Sequence, residues 1–200
     1  MQSILSEFSE DEILAGQSHQ DAKERFELKS IHPKLKKHSK LEDYRKYLKG
    51  PLYRRLFKFS SIRNPWERLV SLYFTPGAGR NEWSRGEFLK LIERTPPVER
   101  YVSLPPSFWA RTFGGKVKPL DHDLNYLIRF ENLESDFHSV CEQIGLPPLP
   151  VPVFNQSKRA HYSGYYDEEL VARVAEKFAR EIEWGNYRFE ESETDTHSNT

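Results

Sequence analysis

The sequence predicts an α/β fold, a parallel sheet flanked by helices. Three observations predict it. Residues 57–62, with Phe57, Phe59 and Ile62, and residues 125–130 carry the apolar and aromatic content of buried strands. Each is followed at once by apolar residues at helical spacing: Leu69, Val70 and Tyr73 after the first, and a pattern over 133–144 after the second. Parallel strands need a crossover connection, usually a helix, so this alternation favours parallel pairing.

Taken in order, residues 3–14 read as an amphipathic helix with Ile4, Leu5 and Phe8 on one side, and residues 16–23 as a polar loop. A basic run, 34–40, precedes a helical pattern with Leu41, Tyr44, Tyr47 and Leu48 on one face, which Gly50-Pro51 is expected to end. Asn64 suits a helix cap, and Pro65 suits the first helical turn, where its missing N–H has no intrahelical partner to lose. Ser84 and Glu87 have the spacing of a capping box before Phe88, Leu91 and Ile92. Residues 98–118, with aromatics, prolines and a Gly-Gly pair, read as an irregular, substrate-facing excursion. Gly145 and Pro147 end the helix after the second strand. Leu170, Val171, Val174, Phe178 and Ile182 form the apolar face of one last long helix, capped by Asp167 and ended by Gly185. Residues 1–189 are thus read as a single domain and 190–200 as a polar, disordered tail.

Composition narrows the function classes. Thirty basic and thirty acidic side chains leave no global positive field for nucleic acid. A single cysteine, Cys141, excludes an internal disulfide framework and reads as a small core residue. The histidines and the cysteine show no metal-ligand spacing, so no metal site is expected. No apolar run reaches the length of a membrane span and the N-terminus has no signal-peptide core, so the chain as it stands is expected to be cytoplasmic, with membrane association only through an anchor upstream of Met1.

The chemistry concentrates in Arg63-Asn64-Pro65-Trp66-Glu67-Arg68-Leu69-Val70-Ser71-Leu72-Tyr73. Arg63 falls where a strand ends and a helix begins, and Ser71 about two turns into that helix. A guanidinium beside free helix N-terminal amides suits a phosphate. Arg68, in the helix interior, reads as a structural ion-pair former with Glu131 or Glu67. Trp66 and Tyr73 read as core.

This segment resembles the 3′-phosphate-binding motif of sulfotransferases that use 3′-phosphoadenosine-5′-phosphosulfate (PAPS). It is most similar to the branch with carbohydrate O-sulfotransferases and their bacterial relatives. Three further stretches resemble the same family: residues 126–133, with Arg129-Phe130-Glu131-Asn132-Leu133; residues 154–159; and residues 165–189. The resemblance implies a fold related to P-loop nucleotide-binding proteins. It also implies sulfuryl transfer from PAPS to a hydroxyl of an acceptor, a carbohydrate in that branch. Arg63 and Ser71 match the residues that hold the cofactor's 3′-phosphate. Lys158 and Arg159 lie where they could reach the phosphates or an anionic acceptor. His38, with His32 behind it, is the candidate base for the acceptor hydroxyl, whose proton must leave as oxygen attacks sulfur.

The family's second cofactor loop, a Pro-Lys-x-Gly-Thr-like turn after the first strand, cradles the 5′-phosphosulfate. No such turn occurs in this sequence, whose first glycine is Gly16 in Leu14-Ala15-Gly16-Gln17. The expectation is therefore that the chain starts inside the domain, with the first strand and the loop upstream, and that residues 1–200 alone do not transfer sulfuryl. A non-catalytic remnant that binds nucleotide or a protein partner is the alternative. A P-loop kinase is disfavoured, because no Gly-Lys-Ser/Thr loop is present.

Overall fold

A computed structural model describes residues 13–15, 26–28, 34–35, 39–48, 50–75, 82–104, 123–151 and 160–191. Its elements are β1 (Ile13–Ala15), β2 (Phe26–Leu28), α1 (Leu41–Tyr47), α2 (Gly50–Arg55), β3 (Phe59–Ile62), α3 (Pro65–Tyr73), α4 (Arg85–Arg94), α5 (Glu99–Val102), β4 (Tyr126–Arg129), α6 (Leu133–Gln143), α7 (Glu168–Lys177) and α8 (Ala179–Gly185), with 3-10 turns at Phe130–Asn132 and Tyr162–Tyr165. The chain divides into two compact units, one built from Met1–Ser61, Val98–Ile128 and Asn132–Val151, the other from Ile62–Pro97, Arg129–Glu131 and Pro152–Thr200.

In the first unit, β1 and β2 pair antiparallel, with Ile13 opposite Leu28 and Ala15 opposite Phe26. This corrects the helix expected over 3–14 at its last two residues; residues 3–12 lie outside the described residues. β3 and β4 form the small parallel sheet. The Lys58 carbonyl receives the Asn125 and Tyr126 amides at 2.7 and 3.2 Å, and the Asn125 side-chain oxygen accepts the Lys58 N–H at 2.8 Å. Ile128 of β4 and Phe137, Val140 and Cys141 of α6 are fully buried together, with Phe57, Phe59 and Leu133 packed around them. A second cluster joins Leu35, Leu48 and Tyr53. Gly50-Pro51 opens α2 where the sequence suggested only a stop. Both roles draw on one property: proline cannot continue a helix, but it fits a first turn.

The second unit is organised around α3. Trp66, Leu69, Val70 and Tyr73 face Phe88, Leu91 and Ile92 of α4, and Leu170, Val174 and Phe178 from α7 onward. Burial of eleven such side chains supplies the unit's main cohesion, at about 1.5–3 kcal/mol for each fully buried large one. Ser84 caps α4 through the Glu87 N–H at 3.5 Å, and the Glu87 carboxylate takes Lys90 at 2.8 Å. Asp167 caps α7 through the Leu170 N–H at 2.9 Å. The last long helix is broken at Phe178, whose backbone leaves helical geometry at φ −110, ψ 24. The break keeps the Phe178 ring in the core while Lys177 sends its ammonium to the carbonyls of Ile92 and Glu93 at the end of α4.

Gly185 closes α8, followed by Asn186 in the left-handed region at φ 51. Tyr187 folds back over that end. Glu190, at the start of the polar tail, donates its N–H to the Tyr162 hydroxyl at 2.8 Å, and residues 192–200 lie outside the described residues. A Cβ at position 185 would sit 2.1 Å from the Tyr187 ring. Gly185→Ala should therefore displace Tyr187 and lower stability by about 1–3 kcal/mol, as overpacking does. Gly86→Ala is the control: it lies in α4 and a Cβ there meets nothing within 4 Å. It should raise stability by about 0.5–1 kcal/mol. Urea unfolding of both variants checks the pair of signs.

Candidate functional site

The site grows from the end of β3. Ile62 is buried, and the next two residues turn the chain into α3. Asn64 does most of the turning. Its side-chain oxygen accepts the Trp66 and Glu67 amides at 3.1 and 3.5 Å, and its Nδ2 donates to the Arg188 carbonyl at 3.2 Å. Its own N–H donates to the Glu131 carboxylate at 2.8 Å. The other oxygen of Glu131 accepts the Tyr187 hydroxyl at 2.8 Å. Burial first, and then this bond, hold the Tyr187 phenol above the usual tyrosine range. The N-terminal amides at 66 and 67 are thus occupied by Asn64. The free amides expected to meet a phosphate are not available at these two positions, which leaves side chains as the candidate anion ligands.

Those side chains are Arg63 and Ser71. Arg63 uses its Nε and Nη2 edge on Glu67, at 3.2 and 2.6 Å. Its Nη1 donates to Ser71 Oγ at 3.4 Å, so the two residues singled out from the sequence do meet. The guanidinium lies 4.4 Å from the centre of the Phe130 ring, which is 46 % exposed. An oriented cation, a hydroxyl beside it and an apolar plane beneath it form a site that can take one face of an anion.

Arg68 has a different role and a different partner from those expected. It pairs with Glu181, 3.0 Å away and 0 % exposed, rather than with Glu131 or Glu67. Its guanidinium also lies over the Phe178 ring at 5.1 Å. It ties α3 to α8. His38, His32, Lys158 and Arg159 lie outside the described residues. Among the described residues, no cluster of three His, Cys, Asp or Glu side chains is placed to hold a metal, and no helix is long and apolar enough to cross a membrane.

The first unit holds a cavity of about 510 Å³ whose walls include Tyr44, Tyr53, Phe57, Phe59 and Tyr101. Lys58 stands over the Tyr53 ring at 4.8 Å and 3.9 Å from Asp123, which accepts the Tyr53 hydroxyl. Burial, then the bond to Asp123, push the Tyr53 phenol up, so it stays protonated and cannot serve as a base near neutrality.

Glu131 and Glu67, read from the sequence as partners for Arg68, instead partner Asn64 and Arg63. The Arg63–Glu67 spacing is a helical i, i+4 contact and could be read from the sequence. The Asn64–Glu131 and Arg68–Glu181 contacts span 67 and 113 residues and carry no local signal.

Comparison with known families gives one result: the model of the sulfotransferase family matches residues 5–104, which include Arg63 through Tyr73. This chain belongs to the sulfotransferase family. No curated protein and no solved structure matches it.

Glu131→Ala removes the acceptor of two hydrogen bonds at once. It should cost about 1–3 kcal/mol in stability, the penalty for a donor left unsatisfied. It should also weaken the tertiary near-ultraviolet signal of the aromatic residues around Trp66. Chemical denaturation followed by circular dichroism reads both effects.

Proposed function

We propose that the protein moves a sulfuryl group from PAPS to a hydroxyl of a carbohydrate, and that the Arg63 turn holds the 3′-phosphate of that donor within a P-loop-like fold. Membership of the sulfotransferase family supports the class of reaction. The 3.4 Å approach of Arg63 Nη1 to Ser71 Oγ carries the cofactor reading. The residues present fit the 3′-phosphate end of the donor. Arg63 keeps a donor edge beside the serine hydroxyl while Glu67 fixes its orientation, and the pair is neither buried nor fully exposed, at 21 and 31 % for the arginine and glutamate.

PAPS, when bound, supplies the activated sulfuryl group and leaves as adenosine 3′,5′-bisphosphate. The chain's own residues divide the remaining work. Arg63 and Ser71 bind and orient the 3′-phosphate, and Phe130 presents an apolar face beside it. Lys158 and Arg159 add positive charge toward the phosphates. His38 takes the proton of the acceptor hydroxyl, with His32 second in line.

Calorimetric titration tests the donor site. Arg63→Ala should cost about 1.5–3 kcal/mol in adenosine 3′,5′-bisphosphate binding, the worth of a charge-assisted hydrogen bond. It should change adenosine 5′-phosphate binding little. Arg63→Lys keeps the charge but loses the planar fork that serves Glu67 and Ser71 together, and should recover only part of the loss. Equal losses for both nucleotides would make Arg63 a structural residue.

A further inference from the structure

The chain is neutral as a whole, but its charge is segregated. Residues 34–58 contain ten Lys or Arg and two acidic residues, leaving twenty basic and twenty-eight acidic in the rest. In the first unit, Arg45 and Lys46 of α1 and Arg54 and Arg55 of α2 are all exposed. None of these four forms a salt bridge with another described residue. In the second unit, exposed Arg85, Lys90 and Arg173 are each paired with a carboxylate, whereas exposed Arg94 and Arg188 form no salt bridge with another described residue.

Contacts tie three of the segment's cations to tyrosines of α1 and α2. The Lys34 and Lys46 ammonium groups lie 5.7 and 5.4 Å from the centre of the Tyr47 ring. The Arg45 charge is near enough to Tyr53 to pull against the rise of its phenol pKa. Leu48, just after α1, and Tyr53 of α2 share one core cluster, so the two cation-bearing helices pack against each other. Beside them, at the start of α2, Pro51 is exposed and Leu52 is 49 % exposed, the most exposed of the large apolar side chains described.

We propose that α1 and α2 form a docking surface for a bilayer rich in anionic headgroups, with Leu52 entering the headgroup–acyl boundary and the surrounding Lys and Arg side chains on the phosphates. Charge complementarity argues for an anionic partner. The leucine selects the bilayer among such partners, because an apolar side chain gains by leaving water for lipid and gains nothing against a hydrated polyanion. This surface shares no residue with the Arg63 site.

Cosedimentation of the full chain with vesicles tests it. The protein should bind phosphatidylcholine vesicles containing phosphatidylserine, should not bind phosphatidylcholine alone, and should be released at about 1 M salt, where the screening length is about 3 Å. Each cation near an anionic bilayer contributes about fivefold to partitioning, so the pair Arg54→Gln and Arg55→Gln should weaken binding about thirtyfold. Leu52→Ala should weaken it roughly tenfold. Leu52→Trp should strengthen it, a gain that misfolding would not produce. Absence of binding, or equal binding to both vesicle types, overturns the proposal. So does a Leu52→Ala variant that binds like the wild type while dextran sulfate displaces the vesicles; the surface would then read charge alone and fit a soluble polyanion.

Discussion

The hydrogen bond from the Asn64 backbone to the Glu131 carboxylate fixes the direction in which the chain leaves its strand, and the Arg63 site depends on that direction. A strand that ends beside a helix N-terminus exposes several amides and carbonyls at one corner. Asn64 settles that corner almost alone. It is 8 % exposed, yet its N–H, its side-chain oxygen and its side-chain nitrogen each meet a partner, and its carbonyl starts the helix by accepting the Arg68 amide at 2.8 Å. A buried polar residue with every group satisfied is rigid, because each alternative conformation leaves a desolvated group unpaired. Glu131 extends that rigidity to Tyr187 and so to the residues after α8. Arg63 lies one residue before this pivot and pairs with Glu67 in the first turn of α3.

Two arginines five residues apart stand in different surroundings. Exposure does not separate them, at 21 % for Arg63 and 18 % for Arg68. Their partners do. Glu181 has no solvent contact, so losing Arg68 would strand a buried carboxylate, at a cost of about 3–5 kcal/mol. Glu67 is about one-third exposed and can be resolvated when an incoming anion competes for the guanidinium. The stacking partners agree with this division: Phe178 is buried under Arg68, whereas Phe130 is open beside Arg63.

What was legible in the sequence was local. Pro65 after Asn64, Ser84 three residues before Glu87, and Asp167 before Leu170 announced helix starts through spacings of one to three residues, and each start is found where the spacing put it. The Arg63 and Ser71 side chains meet because eight residues is a little over two helical turns. Failures came where a distant contact overrode a local pattern. The apolar period across Phe178 runs unbroken, but Lys177 is drawn to the end of α4 and the helix divides. Gly50-Pro51 signalled a boundary without saying on which side the next helix lay. Ile13 and Leu14 fit a helical face as well as a strand, and pairing with residues 26–28 decided for the strand.

A crystal structure of the protein with adenosine 3′,5′-bisphosphate tests the central claim most directly. The account predicts the 3′-phosphate in hydrogen-bonding contact with both Arg63 and Ser71, with Asn64 still bound to Glu131 and the α3 cap unchanged. A nucleotide bound elsewhere, with the Arg63–Glu67 pair undisturbed and no ligand atom near Ser71, would contradict it.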